Sequence, residues 1–119
     1  MEVKGREIKF LRTVKSTCDI EDLCPNHELN RFGELLGGSV KTVNTTIAKL
    51  IRIMNEGYEM NRQMNEDGYK AQILTEDEIL YLDDATFGKL AEEMMRAFNG
   101  SNPTVETEEV KKKEAQGLE

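Results

Sequence analysis

No stretch of this sequence approaches the roughly 18 consecutive apolar residues that a bilayer-spanning helix needs, so a transmembrane role is not expected. The opening Met1-Glu2-Val3-Lys4-Gly5 has neither the basic start nor the apolar run of a secretory signal, which points to the cytoplasm. Cysteine is scarce, with Cys18 and Cys24 alone. In a reducing compartment both should remain free thiols, because small disulfide scaffolds carry more cysteines and form under oxidising conditions. Cations are in deficit as well. Sixteen Lys and Arg stand against 23 Asp and Glu, a formal charge of −7 that opposes a phosphate backbone and makes nucleic acid an unexpected partner. Residues 101–119 hold Glu106, Glu108, Glu109, Glu114 and Glu119 against three lysines, a share of −2 that leaves −5 on residues 1–100.

What remains reads as one α+β domain, predominantly α-helical: a short N-terminal β-hairpin packed on about five helices over residues 1–100, then a disordered tail over residues 101–119. Val3, Ile8, Phe10 and, after one slip, Leu11 and Val14 alternate with polar residues around Lys4-Gly5-Arg6, which predicts a hairpin across residues 3–14. Two strands alone are marginal in water, so the hairpin must lie on a helix or pair with another chain; its unpaired edge would let two copies join by strand addition. A short helix capped by Ser16 or Thr17 turns Ile20 and Leu23 inward and closes at Pro25. A second begins at Asn26 or His27, carries Leu29, Phe32, Leu35 and Leu36, and stops at Gly37-Gly38.

Ser39 caps the longest element, predicted over residues 40–64 from Val40, Val43, Ile47, Leu50, Ile51, Met54 and Tyr58 at steps of three and four. Residues 69–74 connect onward from Asn65-Glu66-Asp67-Gly68. Thr75-Glu76-Asp77-Glu78 reads as a capping box opening a short helix through Ile79, Leu80 and Leu82. Asp83 or Asp84 caps the last helix, with Phe87, Leu90, Ala91, Met94 and Phe98 on one face before Asn99-Gly100. Beyond Ser101 there is neither an aromatic nor a usable periodicity.

Chemistry is thinly supported. Cys18, Cys24 and His27 are the only grouping of metal-type ligands, but residues six apart on a helix are separated by about 240°, and no fourth Cys or His exists. His27, the single histidine, reads as supporting a turn, with no base and nucleophile arranged around it. The acids Glu76, Asp77, Glu78, Asp83 and Asp84 fall at helix starts, where unpaired amides and the helix dipole already call for them. Gly37-Gly38 lacks a following Walker lysine and reads as a bend. No catalytic residue, metal or cofactor is expected. The methionines Met54, Met60, Met64, Met94 and Met95 give the two longer helices a soft edge that accommodates varied apolar partners. Met54 and Met94 belong to the inward stripes; Tyr58, Met60, Met64 and Met95 are the candidate partner contacts.

The order Val3-Lys4-Gly5-Arg6-Glu7-Ile8-Lys9-Phe10, Asp19-Ile20-Glu21-Asp22-Leu23-Cys24-Pro25, then Leu29-Asn30-Arg31-Phe32-Gly33-Glu34-Leu35-Leu36 resembles the tail assembly chaperones of phages and prophages of Gram-positive bacteria. The likeness continues through Leu74-Thr75-Glu76-Asp77-Glu78-Ile79-Leu80 and Met94-Met95-Arg96-Ala97-Phe98, covering residues 1 to about 100. It implies a non-catalytic protein of the host cytoplasm that binds the tape measure protein, recruits tail tube subunits, and is absent from the mature virion. It also implies a longer frameshifted form, with Lys111-Lys112-Lys113 as the slip site. Two other classes stand beside it: a structural tail or head-completion component retained in the particle, and a small metal-dependent enzyme built on Cys18, Cys24 and His27.

Overall fold

A computed structural model describes residues 1–100; the tail over residues 101–119 and the lysine run within it lie outside the described residues. Ser39 sets the start of the dominant element, its hydroxyl accepting the Thr42 amide at 3.1 Å. Helix α2 then runs over Val40–Asn65, 26 residues, about 39 Å at 1.5 Å per residue. Its middle is enclosed on several sides: Ala48, Leu50, Ile51, Ile53, Met54, Asn55, Gly57 and Glu59 are all buried. The first two turns are not, and Val40 is 77% exposed. Among the described residues the expected inward stripe therefore fails at Val40, and Ile47 is where it begins to pack against the core.

The hairpin is shorter than the sequence suggested. Strands β1 (Glu2–Val3) and β2 (Arg6–Glu7) pair antiparallel, Glu2 with Glu7 and Val3 with Arg6. Lys4 at φ 51° and Gly5 at φ 81° form the two-residue turn between them, both in the left-handed region that a tight hairpin demands. Ile8 still pairs with Met1, its amide donating to the Met1 carbonyl at 2.8 Å, and from Lys9 to Thr13 the chain is a strap whose partner is helix α2, not a strand. The Leu11 amide donates to the Met54 carbonyl at 3.1 Å, and the Asn55 amide nitrogen donates to the Lys9 carbonyl at 3.0 Å.

Helix α1 (Val14–Leu23) is capped by Thr13, whose hydroxyl accepts the Ser16 amide at 3.0 Å. Ser16 and Thr17, the expected caps, lie inside the helix. Ser16 is buried, its hydroxyl 2.9 Å from that of Thr13. Ile20 faces the core and Leu23 lies at its margin. After Pro25 the expected helix is replaced by two 3₁₀ segments, Pro25–His27 and Leu29–Leu36. Asn26 and His27 both take φ 56°, a left-handed pair that an α-helix cannot contain. Phe32 of the second segment stacks on Phe98 with centroids 4.6 Å apart.

Helix α3 (Glu76–Leu80) opens with the complete capping box of Thr75 and Glu78 and ends two residues before Leu82. Helix α4 (Asp84–Gly100) starts from Asp83, whose carboxylate accepts the Thr86 amide at 3.1 Å and hydroxyl at 2.7 Å; those bonds hold Asp83 below the usual carboxylate range. It lies against α2 and gives Leu90, Met94 and Phe98 to the shared core. Ile8, Ile20, Leu50, Ile51, Met54, Ile79, Leu90 and Met94 make one continuous core.

Candidate partner-binding groove

The buried centre of α2 holds two polar side chains, Asn55 and Glu59, and with Gln63 they form a ladder at successive turns. The Leu74 amide donates to Asn55 Oδ1 at 2.9 Å, the Gln72 amide to Glu59 Oε1 at 2.9 Å, and the Ala71 amide to Gln63 Oε1 at 2.8 Å. Residues one turn apart share a helix face, so a row of side-chain oxygens takes the place of a strand edge for the connection at residues 69–74. The Tyr69 hydroxyl closes the ladder on Glu59, and the Arg6 guanidinium reaches the Gln72 carbonyl from the hairpin side. Both extended segments, the strap and the connection, are thus fastened to α2 through Asn55.

That fastening has a pH signature. The hydrogen bond to Glu59, with burial and that carboxylate's charge, raises the Tyr69 phenol above its ordinary value of 10.0. A raised phenol stabilises the fold below pH 10 and gives that stability up as pH rises through the folded-state value. Urea midpoints of the native chain should therefore fall more steeply above pH 10 than those of Tyr69→Phe, and parallel curves would refute the coupling.

With the strap held down, its end and the first turn of α1 stand against a single stripe of α2: Ile53, Glu56, Gly57, Met60, Asn61 and Met64, spaced at three and four residues. Between them lies an open groove of about 690 Å³, walled on the other side by Leu11, Arg12, Thr13, Val14, Lys15, Ser16 and Asp19. Gly57 makes the floor. A Cβ there would fall inside contact distance of the Leu11 carbonyl oxygen and the Ser16 hydroxyl, and 3.3 Å from the Thr13 methyl. Three large apolar side chains remain in solvent at the lips: Val14 at 84%, Met60 at 38% and Met64 at 80% exposed.

The charges on the walls are paired in place. Lys15 meets Asp19 at 2.7 Å, a hydrogen bond that raises the lysine above its usual range, and Arg52 meets Glu56 at 2.9 Å. Arg12 lies over the Phe98 ring, 4.2 Å from its centroid, and donates to the Phe98 carbonyl at 3.0 Å and the Thr17 hydroxyl at 3.1 Å. Such a cation over an aromatic face fixes one end of the groove to α4.

Of the four residues expected to contact a partner, Met60 and Met64 come together in this groove. Tyr58 is half-buried and Met95 packs at the margin of the core; neither lines it. Leu11, Val14 and Ile53 were not among the expected contacts. Gly57 was the missed signal: glycine inside a long helix costs about 1 kcal/mol relative to alanine and marks a close backbone approach.

The other sequence candidates stay apart. Cys18 is exposed and Cys24 buried, its thiol pushed up by burial and by the Glu21 charge. His27 is exposed, 3.6 Å from Asp22. Among the described residues no three His, Cys, Asp or Glu side chains form a group that could hold a metal ion, and no helix is long and apolar enough to cross a membrane. The acids at α3 divide their work. Glu78 completes the capping box, whereas Glu76 turns to α2 and meets Lys49 at 3.3 Å and Arg52 at 3.2 Å. Burial works to raise the Glu76 carboxyl, but the Arg52 and Lys49 hydrogen bonds outweigh it and hold the group below the usual carboxylate range. No family model, curated protein or solved structure matches this chain.

Proposed function

We propose that this protein works by stoichiometric binding, taking an apolar segment of another polypeptide into the groove between α1 and α2, without catalysis. The observation that carries this reading is the convergence of Val14, Met60 and Met64, each left in solvent, on one groove whose floor is closed by Gly57. Unbranched methionine side chains adapt to differing apolar shapes, and exposed apolar patches on a folded domain mark interaction surfaces. Joined to the sequence resemblance, the proposed role is that of a phage tail assembly chaperone in the host cytoplasm. It would hold the tape measure protein and recruit tail tube subunits.

Pull-down with tape measure and tail tube proteins tests the role. Retention of the tape measure protein is expected, and Met64→Asp should weaken it about tenfold, the effect of losing one well-packed interface anchor. Failure to retain either protein would sink the chaperone role. Mass spectrometry of purified particles separates it from a structural virion component: a chaperone is missing from them, and a stoichiometric signal would transfer the chain to the structural class.

A further inference from the structure

Resting on the reading of this groove as a polypeptide-binding site, we infer that its occupant is an amphipathic α-helix. It lays three apolar anchors, spaced about i, i+4 and i+7, against Val14, Ile53, Met60 and Met64, and it carries basic residues on its outer side.

Length sets the first constraint. The α2 stripe runs from Ile53 to Met64, about 16 Å at 1.5 Å per residue, which is some three turns of a helix laid alongside it. Helix-in-groove recognition uses anchors at that spacing. The backbone sets the second. A strand would draw its affinity from unpaired main-chain groups, and the strap end has engaged part of its own: the Leu11 amide donates to the Met54 carbonyl at 3.1 Å, and the Thr17 amide donates to the Thr13 carbonyl at 3.0 Å. A helix arrives with its main chain already satisfied.

Charge sets the third. The ion pairs Lys15–Asp19 and Arg52–Glu56 neutralise the walls, so the contacted face of the occupant is uncharged. Residues 1–100 carry −5, so the side turned away from the walls is basic, and long-range attraction speeds the encounter. A second copy, at −7, and residues 101–119, at −2, are both opposed by the net charge of residues 1–100, not by the groove walls.

The test uses the full chain and three synthetic peptides of about 18 residues, five helical turns: leucine at helical spacing on a lysine background, the same on glutamate, and a scrambled lysine version. Fluorescence anisotropy should show the leucine–lysine helix binding at least about tenfold more tightly than the other two. Its association rate should fall with salt while its dissociation rate holds. Val14→Asp and Met64→Asp, both at exposed positions, should each weaken it about tenfold. Tyr81→Asp, exposed but away from the groove, should leave it unchanged. Circular dichroism establishes that each variant folds.

Equal affinity in both groove variants, or preference for the glutamate helix, would overturn the inference. So would a dimer of the chain that Met64→Asp dissolves, since that seats a second copy in the groove. Undiminished retention of the tape measure protein by Met64→Asp would remove this helix assignment and leave the chaperone role standing. Peptide binding without tape measure retention would do the reverse.

Discussion

Asn55→Leu is expected to lower the unfolding free energy by about 3 kcal/mol, although leucine has the same branched outline as asparagine and suits a helix better. The Asn55 side chain is fully buried and serves two main-chain groups, the Leu74 amide at 2.9 Å in a buried bond and the Lys9 carbonyl at 3.0 Å in a part-buried one. Leucine would fill the space and strand both, each costing about 1–3 kcal/mol. The gain from burying more carbon is smaller than that sum, so the sign is set by the unsatisfied pair. Urea denaturation should show a lower midpoint with an unchanged slope. A loss under about 1 kcal/mol would mean that water reaches the pair and that Asn55 is not the fastening point.

Gly57→Ala should destabilise the chain by about 2 kcal/mol, against the roughly 1 kcal/mol of stabilisation that helix propensity alone would give. The new methyl meets the Leu11 carbonyl oxygen and the buried Ser16 hydroxyl, neither of which is the free end of a flexible side chain. The strap would have to lift, and the groove floor with it. Gly88→Ala is the matched control, because Gly88 lies within α4 and a Cβ there meets nothing within 4 Å; it should stabilise by about 1 kcal/mol. Thermal unfolding of the two variants shifting in the same direction would refute the close approach.

Helical periodicity and caps carried most of the architecture. Ser39, Thr75 with Glu78, and Asp83 act as the sequence suggested, since a cap depends on residues within three positions of itself. The failures share one cause, a partner distant in sequence. Alternation of Val3, Ile8 and Phe10 suits a strand, yet past Ile8 what the strap bonds to is α2, more than forty residues on. With Thr13 drawn into the hairpin, the cap of α1 was displaced to Ser16 or Thr17. No local rule announces that consecutive left-handed residues at Asn26 and His27 will divert the helix after Pro25. At the groove, Met60 and Met64 were legible because they fall off the inward stripe, whereas Val14 was hidden by its assignment to a strand. The ladder of Asn55, Glu59 and Gln63 was invisible, since three polar residues on a helix look like a solvated face until the chain that covers them is known.

Arg12 and Phe98 lock onto each other from opposite ends of the described chain, and Asn55 joins residue 9 to residue 74. During synthesis the first thirteen residues therefore leave the ribosome long before anything exists to receive them. The strap cannot settle until α2 has formed, and it is clamped at Arg12 only when the final turns of α4 arrive. Nascent chains halted ahead of α4 should consequently expose the strap to protease, and the domain closes late, in a step that brings its two extremities together.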